Sequence, residues 1–233
     1  MRTILAFLNK ELLITMRMEK KQIGFLFLGV LIMPFIINLN DTALAVGVQY
    51  SPEVREVLAM LFVAFVPLMI SAEITTQSML TERRDNMTEF IYCQGINKVT
   101  LIISKICLPF ILSMVGLLVS TFLYAVFAEP TTNLNVVFSI LLMGIGTSLV
   151  TILISMSMFF FVDVPEMYTL VCSTGSMIYI AVIAFVSNFA TNYLLNSSLL
   201  FAVICIVSVV VLFILTYNLL TKKEAVLHFE NTK

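Results

Sequence analysis

Histidine and tryptophan are almost missing from this chain and charge is scarce: its 233 residues include one His, no Trp and only 12% Asp, Glu, Lys and Arg. Soluble domains average about 25% charged residues, so this supply is too small to clothe a water-facing surface. A net charge of −1 offers no basic field for nucleic acid. The sole histidine, His228, lies near the C-terminus, and no HExxH or paired carboxylates occur, which removes the usual means of metal-assisted or acid–base catalysis. No metal site and no catalytic residue is therefore expected. The four cysteines, Cys93, Cys107, Cys172 and Cys205, stand apart without CxxC spacing and read as free, buried thiols. GxxxxGK[ST] is missing too, so the chain has no loop of its own to cradle nucleotide phosphates.

What is present is apolar: 60% hydrophobic residues and a mean hydropathy of +1.05. Crossing about 30 Å of hydrocarbon takes about 20 helical residues. The apolar runs divide into six such spans, at about 22–39, 57–80, 101–127, 136–161, 169–188 and 199–219, in one all-α transmembrane domain covering residues 1–233. Turn-forming stretches separate them: NLNDT with YSPE, a charged insert at 81–98, EPTTN, DVPE and NSS. Ahead of the first span, Ile4 to Leu8 is too short for a signal-peptide core, so no cleavage is expected. Thr3, Lys10 and Arg17 instead repeat on one face while Leu5, Leu8, Leu12 and Met16 line another, which predicts an interfacial amphipathic helix within residues 1–21.

Of the 13 basic residues only Arg55 falls on the second side of this layout. Arg2, Lys10, Arg17, Lys20 and Lys21 precede the first span, Arg83, Arg84, Lys98 and Lys105 flank the insert, and Lys222, Lys223 and Lys233 lie in the tail at 220–233. The positive-inside rule then places both termini and the insert in the cytoplasm of a multi-pass plasma-membrane protein.

The insert reads TERRDNMTEFIYCQGINK. Asn86 suits an N-cap, Glu89 completes a capping box and Gly95 supplies a left-handed stop, predicting a short cytoplasmic helix at about 87–94 that presents Phe90, Ile91 and Tyr92. Within the spans, Glu73 is the one carboxylate; about 24 Å along its helix from Val57, it lies near the cytoplasmic boundary, where Lys105 is a possible partner in a gating ion pair. Thr147, Thr151 and Ser155 repeat every fourth residue beside Gly144 and Ser148, a pattern for close helix packing or for lining a pathway.

In these residues the chain resembles the membrane-spanning subunits of ABC-type exporters of the second export class. Their signature is similar to E-R-x-x-G-T-x-E, then apolar residues and a proline, and a lysine that opens the third span shortly before another proline. Glu82, Arg83, Glu89, Phe90, Ile91, Lys105 and Pro109 match; Asn86 and Met87 replace the Gly and Thr, and Gly95 replaces the first proline. The resemblance implies a bacterial, six-span permease whose insert is a coupling helix, with Glu82, Arg83, Asn86, Glu89, Phe90, Ile91, Tyr92 and Gly95 docking a separate ATPase. It further implies two ATPase copies carrying ATP and Mg, no cofactor on this chain, a second permease copy or paralogue, surrounding membrane lipid, and a lipophilic or amphipathic cargo such as a peptide or bacteriocin, drug or lipid. Haem-type export is a lesser alternative within the family. A proton-coupled carrier using Glu73, and a channel or scaffold without transport, are the alternatives outside it.

Overall fold

The computed structural model describes residues 9–10, 12–13, 28–29, 32, 52–84, 97–127, 134–162, 167–168, 170–172, 174–176, 178–179, 182 and 197–231. Four long helices fall in this set: α1 (Pro52–Arg84), α2 (Lys98–Phe127), α3 (Leu134–Met158) and α4 (Ser197–Asn231). The described positions within 9–32 and 167–182 are helical as well, so the described part of the chain is all-α. Among the described residues, three stretches are long and apolar enough to cross a membrane: Lys98–Val126, Ile140–Met158 and Val203–Lys222.

The helix ends follow local chemistry. Pro52 opens α1, where its missing N–H costs no hydrogen bond and its fixed φ suits a first turn. The helix then runs past the expected boundary at 80, because Thr81, Glu82, Arg83 and Arg84 contain no breaker; the charged insert thus begins as helix. Asn97 starts α2 by accepting the Val99 amide on its Oδ1 at 3.0 Å. Past the expected boundary at 219, α4 continues to Asn231, since Lys, Glu, Ala and Leu in the tail are good helix formers. Of the other expected elements, the segments at 22–39 and 169–188 are described only in part, and the helix at 87–94 lies outside the described residues.

Packing sets the directions of these helices. Val63 of α1 clusters with Ile140 of α3 and Leu117 and Tyr124 of α2. Met79 and Leu80 cluster instead with Ile102, Ile152, Met156 and Phe159. Accordingly α1 and α3 run parallel and α2 runs antiparallel to both. The two clusters are separated by about 16 residues of α1, or about 25 Å. The positions 167–182 ascend beside α3, with Tyr168 near Ser155 and Tyr179 in the cluster of Met143 and Cys205. Helix α4 lies on α3, tied by the Ser157 and Thr216 hydroxyls at 2.9 Å, and meets α2 where Lys98 reaches Thr221 at 3.4 Å.

Burial is graded across the bundle: the apolar stretch of α3 is 72% buried and that of α4 only 17%. α3 is therefore the central helix. Phe122, Val115 and Leu118 of α2, with Ile206, Val210 and Ile214 of α4, form outer apolar faces suited to hydrocarbon. Helices α2 and α3 approach closely at Gly144, where an added Cβ would stand 2.5 and 2.6 Å from the two methyls of the buried Leu117. At Gly144 the two helices therefore leave no room for a side chain. Gly144→Val should destabilise the protein by about 2 kcal/mol through overpacking, and Leu117→Ala in the same chain should recover part of the loss, as read by thermal unfolding in mild detergent.

Candidate functional site

Polar chemistry gathers where α1 ends, α2 begins and α3 stops. Ser78 and Glu82 are four residues apart and share one face of α1. Lys105 of α2 lies against that face, donating from Nζ to Glu82 Oε1 at 2.6 Å and to Ser78 Oγ at 3.0 Å. Lys10, from the N-terminal segment, pairs with the same Glu82 oxygen. Glu82 and Lys105 are each only 4% exposed, so their attraction acts in a medium less polarisable than water. Burial alone would push the Glu82 carboxyl up; the Lys105 and Lys10 ammonium groups outweigh it and hold the acid below its ordinary 4.5. At neutral pH Glu82 is an ionised anchor.

Arg83, one residue on, points to a different neighbour. Its Nη1 donates to the Val162 carbonyl at 2.7 Å and its Nη2 to the Phe159 carbonyl at 3.2 Å. These carbonyls belong to the turn that ends α3, where a cation also meets the negative end of the helix dipole. The guanidinium carbon lies 4.7 Å from the centre of the Phe159 ring. Phe159 in turn packs edge-on against Phe160 and Tyr168, and the Tyr168 hydroxyl donates to the Ser155 carbonyl at 2.7 Å. Two consecutive residues of α1 thereby brace three helices: Glu82 holds α2 and Lys10, and Arg83 holds the end of α3.

This placement corrects two expectations. Lys105 is given to Glu82, whereas Glu73 accepts from Gln77 Nε2 at 3.1 Å. Glu73 lies about 14 Å back along α1 from Glu82, beyond the reach of a lysine held level with Ser78, so the pair expected between Glu73 and Lys105 does not form. Glu82 and Arg83, expected to face a partner, are instead turned into the bundle. Asn86, Glu89, Phe90, Ile91, Tyr92 and Gly95 lie outside the described residues. Thr147, Thr151 and Ser155 are fully buried on α3; Thr147 donates back to the Met143 carbonyl at 2.9 Å and Ser148 to the Gly144 carbonyl at 2.8 Å. Cys172 and Cys205 are buried and Cys107 half-buried, all free thiols.

Sequence reasoning missed Lys10 and Tyr168. Lys10 had a signal, its place on the polar face of the N-terminal segment; Tyr168 had none. The chain matches no family model, no curated protein and no solved structure.

Replacing Glu82 with Gln leaves the buried Lys105 ammonium and the half-buried Lys10 ammonium facing an amide, and should cost about 3–5 kcal/mol. Because the folded acid is weakened below its unfolded value, its stabilisation is complete above the ordinary carboxylate range and disappears as pH falls through the lowered folded value. The Tm gap between wild type and Glu82→Gln should therefore be widest near neutral pH and close on acidification into that range.

Proposed function

We propose that this chain is the permease subunit of an ATP-driven exporter: a multi-pass plasma-membrane protein that forms half of a translocation pathway together with a second permease copy or paralogue. ATP and Mg belong to a separate ATPase subunit, since this sequence has no phosphate-cradling loop. The observation that carries the reading is the brace around residues 85–96. The two helix ends that flank this segment, at Arg84 and Lys98, belong to α1 and α2, which Glu82 and Lys105 lock together, while Arg83 fastens α1 to α3. A displacement applied to the segment would enter the bundle through these joints and move packed helices together, as in transitions between discrete packed arrangements. Glu89, Phe90, Ile91 and Tyr92 are the residues assigned to contact the ATPase; Glu82 and Arg83 transmit the motion.

The uncharged outer faces and the small hydroxyl residues inside favour a lipophilic or amphipathic cargo. Carrier chemistry through Glu73 is the weaker reading, because that residue is held by Gln77 on its own helix and Glu82 is kept ionised by its partners. A scaffold would recruit a partner without needing the brace.

The native chain should copurify with an ATP-binding protein of about 25–35 kDa, one typical domain. The Glu89→Lys, Phe90→Asp double variant should lose that partner while keeping its own Tm. Normal assembly and transport by the double variant would overturn the reading.

A further inference from the structure

The buried face of α1 that ends at Glu82 is a row of hydroxyls: Ser71, Thr75 and Ser78, which are 0–2% exposed. Helix α3 carries a matching row, Thr147, Ser148, Thr151 and Ser155, all at 0%. Their register follows from contacts at either end. Arg83 bonds the Phe159 carbonyl at the base, and Val63 clusters with Ile140 at the far end. Because the helices run parallel between these points, Ser71 falls level with Thr147 and Ser148, Thr75 with Thr151, and Ser78 with Ser155. The rows form one seam about 16 Å long from Ser71 to Glu82, and Lys105 donates to Ser78 at its base.

A serine or threonine buried in a helix normally returns its proton to a carbonyl one turn back. Ser71, Thr147 and Ser148 do so. Thr75, Thr151 and Ser155 do not: each is at most 1% exposed, and none of the three hydroxyls meets a protein hydrogen-bond partner. Leaving such a group dry is costly, and an isosteric apolar residue would be the better filler if packing were its only task. Three orphan hydroxyls in a seam that both helices line, Thr75 and Thr151 at one level and Ser155 a turn below, therefore point to a ligand that is not protein.

Hydroxyls both donate and accept, which suits an amide or an alcohol. Glu73, at the same depth, is off the hydroxyl row and accepts from Gln77, so the row itself offers a charged ligand no counter-ion. We propose that the α1–α3 seam, centred on Thr75 and Thr151, binds an uncharged hydrogen-bonding group, and that water occupies the same positions when no such group is bound. In the exporter this group would be an amide or hydroxyl of the amphipathic cargo, a part of the proposal that rests on the transport reading; the hydration of the seam does not.

Cys172 is a built-in reporter, since its free thiol is buried in the same cluster as Ile152 and Met156 of α3, beside the seam. The test uses the full-length chain in native membranes with hydroxyethyl methanethiosulfonate, a small neutral hydrogen-bonding thiol reagent, and peptide mapping to locate the adduct. The native protein should be modified at Cys172, and the Thr75→Val, Thr151→Val variant should be modified at least tenfold more slowly. Each single valine variant should also melt about 2–4 °C lower, the shift of a lost interaction of about 1 kcal/mol in a chain of this size. An unmodified Cys172 in the native protein, or a Tm that stays unchanged or rises in either valine variant, would overturn the proposal. A chain that passes both assays yet never binds an ATPase would keep the hydrated seam and lose only the exporter.

Discussion

A carboxylate shared by two ammonium groups at the end of α1 is the constraint on which the rest of this architecture depends. Without the Lys105 and Lys10 cations, Glu82 could not stay ionised at 4% exposure. Without Glu82, the buried Lys105 would lose its carboxylate partner. Desolvation makes each partner expensive alone and tolerable together. Arg83 then extends the joint to α3 through carbonyls that the end of a helix leaves unsatisfied. The gain lies in geometry more than in net stability: α1, α2, α3 and the N-terminal segment are held at one end in a single arrangement.

The elements most legible in the sequence were those fixed by composition and local chemistry. Apolar runs located α2, α3 and the apolar part of α4 to within a few residues, because hydrocarbon thickness sets a minimum length for such helices. Boundaries failed where polar residues are themselves good helix formers, at Thr81 to Arg84 and beyond Lys222; the rule that a span ends when charge begins says nothing about where the backbone stops being helical. The stripe at Gly144, Thr147 and Thr151 was legible because small residues at one-turn spacing have few other uses.

Partnerships were less legible. Glu82 and Arg83 were assigned to a partner surface only through the family resemblance. Their burial depends on Lys10, which lies 72 residues away in sequence, and on carbonyls at Phe159 and Val162 that no side-chain pattern advertises. The pairing of Lys105 with Glu73 was a choice between two carboxylates on one helix, and only the register of α2 against α1 decides it. Thr75 and Thr151 gain their meaning in the same way, from being level with each other on neighbouring helices.

The account's central claim is that Glu82 and Lys105 act as one joint between α1 and α2. A double-mutant cycle on Glu82→Gln and Lys105→Met, followed by reversible unfolding in mild detergent, isolates that joint from the separate costs of each substitution. A coupling energy of about 2–3 kcal/mol is expected, the double variant being far less damaged than the two single variants together. Additive losses, with coupling within about 0.5 kcal/mol of zero, would contradict the account.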